Sequence, residues 1–386
     1  MSVHPADRLA FDRAMVTQPV WNRFTIGGEA FGLPQNVLLH AGPAFSAAEQ
    51  ITRPILNSAC VAAVFEGIAQ DFDQAEAMIT AGEITLQPAQ DHNVVTPLAA
   101  VVSASMPLQV VYDAWGGKVR AYAPINGGPR PSLRLGLKSN AVLEHIRWLN
   151  AAVRDALQDG LAEGIALVPL AVLGLIGGDD CHGRTPIAGA ALVDELIDRS
   201  AGRIDNDVLA FLHSAPSLFL NLWMAATKCM MTAAAGVADS SFVTVAGGNG
   251  RDVGIQISGL PGRWFTTPAD APLGAFDVDA PINRALGAIG DSAVIDAFGL
   301  GAMAPAAFGK IEAAVRLDAL SVGAHPYFRA LDIRLGSSAR GAVASGAGPM
   351  ISLGIIDRLG DLGRLGGGLY DMPVDPFADA LAALDS

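Results

Sequence analysis

From about residue 139 to residue 236 nearly every window of the sequence repeats its apolar side chains at helical spacing, and strand-like segments flank the stretch on both sides. Breaks at Gly160, Gly177, Pro186, Gly202 and Pro216 cut it into helices of ordinary length. A helical block between two strand-bearing ends predicts a mixed α+β chain of the α/β class. The expected division is an N-terminal α/β domain over 1–135, a helical domain over 136–238 and a C-terminal α/β domain over 239–386.

Within the first part, residues 6–17 read as an amphipathic helix and 37–39 as a buried strand ending in His40-Ala41-Gly42-Pro43. Helical spacing returns over 54–81, broken near Asp71 and stopped by Gly82. Strands follow at 84–87, 101–103 and 109–115, the last joined through Gly116-Gly117 to 118–123 as a hairpin. Residues 124–131 have the composition of a linker. Beyond the helical block, 242–246 and 253–258 predict a second hairpin about Gly247-Gly248-Asn249-Gly250. The remainder predicts short helices alternating with Gly-rich turns and a closing amphipathic helix after Pro376. Gly366-Gly367-Gly368 lacks the Lys-Ser/Thr that completes a phosphate loop.

Composition narrows the function. Hydrophobic residues make up 51% of the chain and charged ones 16%. The apolar run 164–178 is shorter than the ~20 residues a bilayer crossing needs, contains Pro169 and meets Asp179, so it predicts a buried core helix. The surplus of apolar surface is expected at a large subunit interface, which favours a homo- or hetero-oligomer. A net charge of −13 speaks against a nucleic-acid or polybasic membrane footprint. Three widely spaced cysteines, Cys60, Cys181 and Cys229, suit a reducing cytoplasm, and the first residues lack the apolar stretch of a secretory signal. No CxxC or HExxH spacing suggests a metal, and no nucleotide motif is present, so the cofactor stays unknown.

The chemistry concentrates at 177–184, GGDDCHGR, where two carboxylates, a thiol, an imidazole and a guanidinium sit between two apolar segments. Desolvation there shifts pKa values and sharpens hydrogen bonding. The plainer alternative is an interhelical turn in which Asp179 or Asp180 caps the following helix and Arg184 pairs with them.

The motifs LLHAGP (38–43), SASMP (103–107), GDDCHGR (178–184), LFLNLWMA (218–225), SGLPGRWFT (258–266) and GDSAVIDAFG (290–299) occur in an order that resembles the YlbE/AllG family. The resemblance implies a subunit of oxamate carbamoyltransferase, acting beside an FdrA-type protein and a further small subunit. That assembly interconverts oxalurate and phosphate with oxamate and carbamoyl phosphate. The chain departs from the family at Thr96-Pro97-Leu98-Ala99-Ala100, where glycines are usual, at Asp180 for Glu, at Thr185 for Asn and at Ser352 for Asn. These departures leave room for a related amide or ureido substrate. A non-catalytic scaffold docking an FdrA-like partner and a stand-alone amidohydrolase are the competing readings.

Carbamoyl transfer needs an anion clamp, donors for a developing oxyanion and an acid or base near the departing nitrogen. Arg184 is the candidate clamp for a carboxylate or phosphate, His182 the proton carrier, and Asp179 or Asp180 the group that orients it. His40, at a strand end with Gly42 beside it, is a second catalytic candidate, with Gly42 offering backbone amides to an anion. His92 and Asn93 are placed to read a planar polar substrate. Ser103 and Ser105 are candidate oxyanion donors or, more simply, turn residues. Glu66, in apolar surroundings, is expected to be paired or to titrate high. Asp291 and Ser292 have the form of a helix start that attracts anions. Asn221 and Lys228 share a face of an apolar helix and read as satisfying each other's neighbours or lining a cleft, not as catalytic.

Overall fold

The computed structural model describes residues 3–127, 131–200, 202–215, 217–304, 320–324 and 334–386. Its layout follows from one helix, Ser217–Ala233, which is buried along most of its length: Leu218, Phe219, Leu222, Trp223, Met224, Met230 and Met231 are all covered. Such a helix needs cover on every side. The strands Pro107–Asp113 and Arg120–Pro124 supply it on one flank. The helices Pro5–Met15, Pro186–Ser200 and Ala293–Phe298 and the strand Val243–Asn249 supply the rest. One hydrophobic core therefore runs from Ala10 to Ala380, with a second gathered about the Arg53–Phe65 helix.

The first sheet is antiparallel, in the order Arg120–Pro124, Pro107–Asp113, Pro19–Ile26, Ile165–Ala166. Its last two strands are not foreseen in the sequence. The two-residue strand comes from inside the helical block, where the period-2 signal is too short to register. Beside it lies a three-stranded sheet, Thr85–Pro88, Val37–His40 and Val101–Val102, whose first pair is parallel. The expected helical stretch 54–81 is two helices, Arg53–Phe65 and Phe72–Thr80, the second capped by Asp71, which accepts from the Gln74 N–H.

In the helical block, Asn140–Trp148 passes through a π turn at Leu149–Val153 into Arg154–Gln158. Leu167–Gly177, Pro186–Ser200 and Asn206–Ser214 follow, and the break expected at Pro216 lies outside the described residues. Leu167–Gly177 is not fully buried as expected. It packs Leu167, Ala171 and Leu175 inward but leaves Leu173 49% and Ile176 66% exposed. A helix apolar all round does not reveal which side will be covered. Among the described residues no single helix is long and apolar enough to cross a membrane.

The C-terminal third corrects the expectation of short helices and Gly-rich turns, because it is rich in strands. One sheet runs Phe265–Pro268, Asp252–Ile257, Val243–Asn249, Ile289–Gly290, and another Leu273–Phe276, Arg364–Asp371, Met350–Ile356. Gly366, Gly367 and Gly368 lie inside the Arg364–Asp371 strand, not in a turn. A Cβ on Gly368 would stand 2.7 Å from the Leu273 carbonyl oxygen, so the missing side chain is what lets the strands approach.

Candidate functional site

The Leu167–Gly177 helix ends at Gly178 in the left-handed region (φ +101°), and the GDDCHGR loop folds back on itself. Asp179 accepts the Ile187 and Ala188 N–H groups at 3.0 and 2.9 Å, so it caps the Pro186–Ser200 helix. Asp180 accepts the His182 and Arg184 N–H groups at 2.7 and 2.9 Å and fixes the turn. Cys181 is buried at φ +66° with its thiol toward the Ala171 carbonyl, 3.7 Å away. These contacts turn His182 inward.

There its Nδ1 stands 2.5 Å from Asp296 Oδ2. The other Asp296 oxygen accepts the Ala302 and Ser352 N–H groups at 2.7 and 3.2 Å, which fixes the carboxylate and, through it, the ring. Burial works against a charged imidazole, but the Asp296 carboxylate, aided by Asp180, outweighs it and holds His182 above its ordinary pKa. Gly301, at φ +60°, is essential to this dyad: a Cβ would run into Asp296 Oδ1 and stand 2.8 Å from His182 Cβ.

The dyad borders a cleft of about 440 Å³. Two cations line it with His182: Arg134, from the turn Leu133–Leu135, and Arg364, at the start of the glycine-bearing strand. Arg134 donates to Ser132 Oγ at 3.1 Å, and Arg364 to Asp277 at 2.6 Å. Burial and the neighbouring Arg364 charge depress the Arg134 guanidinium to about 10, which still leaves it charged at neutral pH. Two positive groups and an imidazole lining one cleft make a place for an anion. Ser217, Ser292 and Ser352 add hydroxyls, Asn126 and Asn221 add amides, and Gly367 and Gly368 bare a stretch of main chain. Leu98, also on the wall, holds φ +49°, a conformation that a non-glycine residue keeps only where its surroundings impose it. A second hollow of about 570 Å³, lined by Asp73, Glu76, Ala77, Thr80 and Ala81, is an open surface with no imidazole or cation. Among the described residues no three His, Cys, Asp or Glu side chains converge in a metal-binding group.

Of the residues singled out from sequence, His182, Asn221 and Ser292 reach the cleft. Asp296, rather than Asp179 or Asp180, orients the imidazole, because both of those carboxylates are engaged by main-chain donors. Arg184 is exposed and outside the cleft, whose lining cations are Arg134 and Arg364. His40 is buried in the small sheet with Nδ1 2.8 Å from its neighbour's carbonyl and its ring against Phe45; burial depresses it to about 4, so it stays neutral. Gly42 and Asp291 meet in a separate buried cluster. One Asp291 oxygen accepts the Gly42 N–H at 2.9 Å and the Gln90 amide at 2.8 Å, the other the Thr96 N–H at 2.9 Å and the Thr96 hydroxyl at 3.0 Å. Asp291 therefore pins the N-terminal loops to the C-terminal sheet instead of capping a helix.

His92 lies near the surface with Nε2 2.9 Å from Gln87 Oε1, and Asn93 takes a left-handed turn (φ +57°) and accepts the Thr232 hydroxyl. Glu66 is paired, as one expected alternative had it, accepting the N–H and hydroxyl of Ser105 at 2.6 and 2.9 Å away from the cleft. Ser103 is buried, also outside the cleft. Asn221 lines the cleft, whereas Lys228, two turns along the same helix, is buried; desolvation, opposed by Asp291 and Asp91, lowers it to about 8. Sequence reasoning missed Asp296, Arg134, Arg364 and Asn126. For Asp296 a signal existed: it is a lone carboxylate inside the apolar AVIDAF run, where an unpaired charge is untenable.

Three comparisons bear on this arrangement. The family described as "Oxamate carbamoyltransferase subunit AllG" matches residues 84–292. The oxamate carbamoyltransferase subunit AllG of Escherichia coli (strain K12) is 33% identical over 374 residues, covering 90% of this chain and 88% of that protein. The uncharacterized protein YahG of the same organism is 30% identical over 409 residues, covering 97% of this chain and 84% of that one. Among solved structures, a conserved protein of unknown function from Enterococcus faecalis V583 matches with a TM-score of 0.92 and 27% identity, over 98% of this chain and 97% of that one.

Proposed function

Since this chain belongs to the AllG family of oxamate carbamoyltransferase subunits, we propose that it carries the substrate cleft of a carbamoyltransferase that moves a carbamoyl group between a small ureido acid and phosphate. The observation that carries this reading is the meeting of the Asp296-oriented His182 with Arg134 and Arg364 in one cleft.

In the proposed direction a phosphate oxygen attacks the terminal ureido carbonyl carbon, and the bond from that carbon to the internal nitrogen breaks. The departing nitrogen must take a proton to leave as an amide. His182 supplies it: the Asp296 carboxylate holds the imidazole above its ordinary pKa and so favours the protonated form, the state a general acid requires. Arg134 and Arg364 hold the substrate carboxylate and the phosphate, and the hydroxyls of Ser217, Ser292 and Ser352, which line the same cleft, donate to charge developing on the carbonyl oxygen. An FdrA-like subunit and a further small subunit are the proposed partners. The uncovered Leu173 and Ile176 on the Leu167–Gly177 helix support a chain that works in association.

The test is to purify the chain with its partners and follow phosphate-dependent release of carbamoyl phosphate from oxalurate, with His182→Asn in parallel. Loss of turnover in an assembled complex is expected. Undiminished turnover would remove the catalytic cleft from this subunit and leave a scaffold.

A further inference from the structure

The floor of the cleft holds two asparagines whose amides are fixed in opposite senses. Asn221, from the first turns of the central helix, donates its Nδ2 to the Asn126 main-chain carbonyl at 3.2 Å. Reversing the amide would set oxygen against oxygen, so its Oδ1 is the atom left over. Asn126 is held the other way: its Oδ1 accepts from Ser132 Oγ at 3.2 Å and from Arg134 Nη1 at 3.4 Å. A guanidinium only donates, so here the leftover atom is Nδ2. Among the described residues neither Asn221 Oδ1 nor Asn126 Nδ2 has a partner, although the side chains are 0% and 5% exposed.

A buried acceptor and a buried donor left unmatched at a cleft wall are costly unless a ligand completes them. The chemical group that presents one N–H and one carbonyl oxygen to such a pair is a primary carboxamide or the terminal –CO–NH2 of a ureido group. A carboxylate offers no N–H to Asn221, and a methyl ketone offers only the oxygen.

We propose that Asn221 and Asn126 form the specificity element of the cleft and select a terminal carboxamide over its acid and its methyl analogue. The inference rests on the cleft being the substrate site and adds which chemical group of the substrate is read, and by which atoms. Arg134 couples the two functions, because the guanidinium that meets an anion also sets the Asn126 amide.

The experiment is isothermal titration calorimetry on the full chain with oxamate and pyruvate, two monoanions of similar shape that differ by NH2 against CH3. The wild type is expected to bind oxamate at least about tenfold more tightly, the effect of one buried acceptor left unpaired. In Asn221→Leu the two affinities should converge to within about twofold, with a retained cooperative melting transition as the control for folding. His182→Asn should keep the oxamate preference, since it removes the acid and not the amide reader. Equal affinities in the wild type, or a preference that survives Asn221→Leu, overturns the inference. Binding of neither probe overturns both the inference and the functional reading. An oxamate preference without phosphate-dependent turnover in the complex overturns the functional reading alone.

Discussion

Asp291 and Asp296 are five residues apart, both fully buried, and serve opposite ends. Four donors from three other segments, Gly42, Gln90 and the Thr96 N–H and hydroxyl, occupy both oxygens of Asp291. Asp296 gives one oxygen to two main-chain N–H groups and the other to an imidazole that borders the cleft. A carboxylate saturated by amides and a hydroxyl fastens the fold, whereas one that spends an oxygen on a titratable ring tunes chemistry. Burial and a buried negative charge are common to both, so neither identifies a catalytic group. The nature of the partner does.

The sharpest way to break this contrast is at the dyad. His182→Asn should lower turnover of the assembled enzyme by roughly 10²–10⁴-fold, the usual contribution of a general acid. Asp296→Asn removes the charge that lifts the imidazole and leaves burial, which lowers it. The pH at which activity falls on the alkaline side should therefore move down, as read from a rate profile. At the other carboxylate the effect should fall on stability. Asp291→Ala strips the acceptor from four buried donors and should cost about 4 kcal/mol or more in denaturant unfolding, at ~1–3 kcal/mol per orphaned group. If turnover by the folded fraction fell as steeply as in His182→Asn, the contrast between the two aspartates would fail.

Smaller effects sharpen the boundary. Arg134→Gln and Arg364→Gln should each raise the KM for the anionic substrate by roughly 10–100-fold with kcat less affected, the scale of one charge-assisted hydrogen bond. The dyad also has a stability signature. Because the folded imidazole titrates above its ordinary 6.5, its stabilising contribution is complete below that value and fades as the pH rises through the elevated pKa. The melting-temperature difference between wild type and His182→Gln should shrink accordingly in alkaline buffer. Glu66→Gln, at the surface clamp on Ser105, should change stability by less than about 0.5 kcal/mol and leave turnover alone.

Much of the fold was legible because it rests on local periodicity. The helix pair split at Asp71, the Gly116-Gly117 hairpin and the central apolar helix all carry their signal within one or two turns of chain. The short Ile165–Ala166 strand and the strand built through Gly366, Gly367 and Gly368 were not legible, since each exists only by virtue of a neighbour distant in sequence. The site divides the same way. His182 stood out because polar groups crowd around it, and the same crowd misdirected the choice of its partner toward Asp179 and Asp180.

By itself, then, the sequence determined the class of fold, the family and the imidazole on which the proposed chemistry turns, because periodicity, motif order and local polarity are properties of the chain. Tertiary structure alone decided that Asp296 orients His182, that Arg134 and Arg364 rather than Arg184 line the cleft, and that two asparagine amides beside it are fixed with opposite polarity. Those assignments depend on which donors and acceptors remain after the main chain has satisfied its own, and that remainder is settled only when segments far apart in sequence pack together.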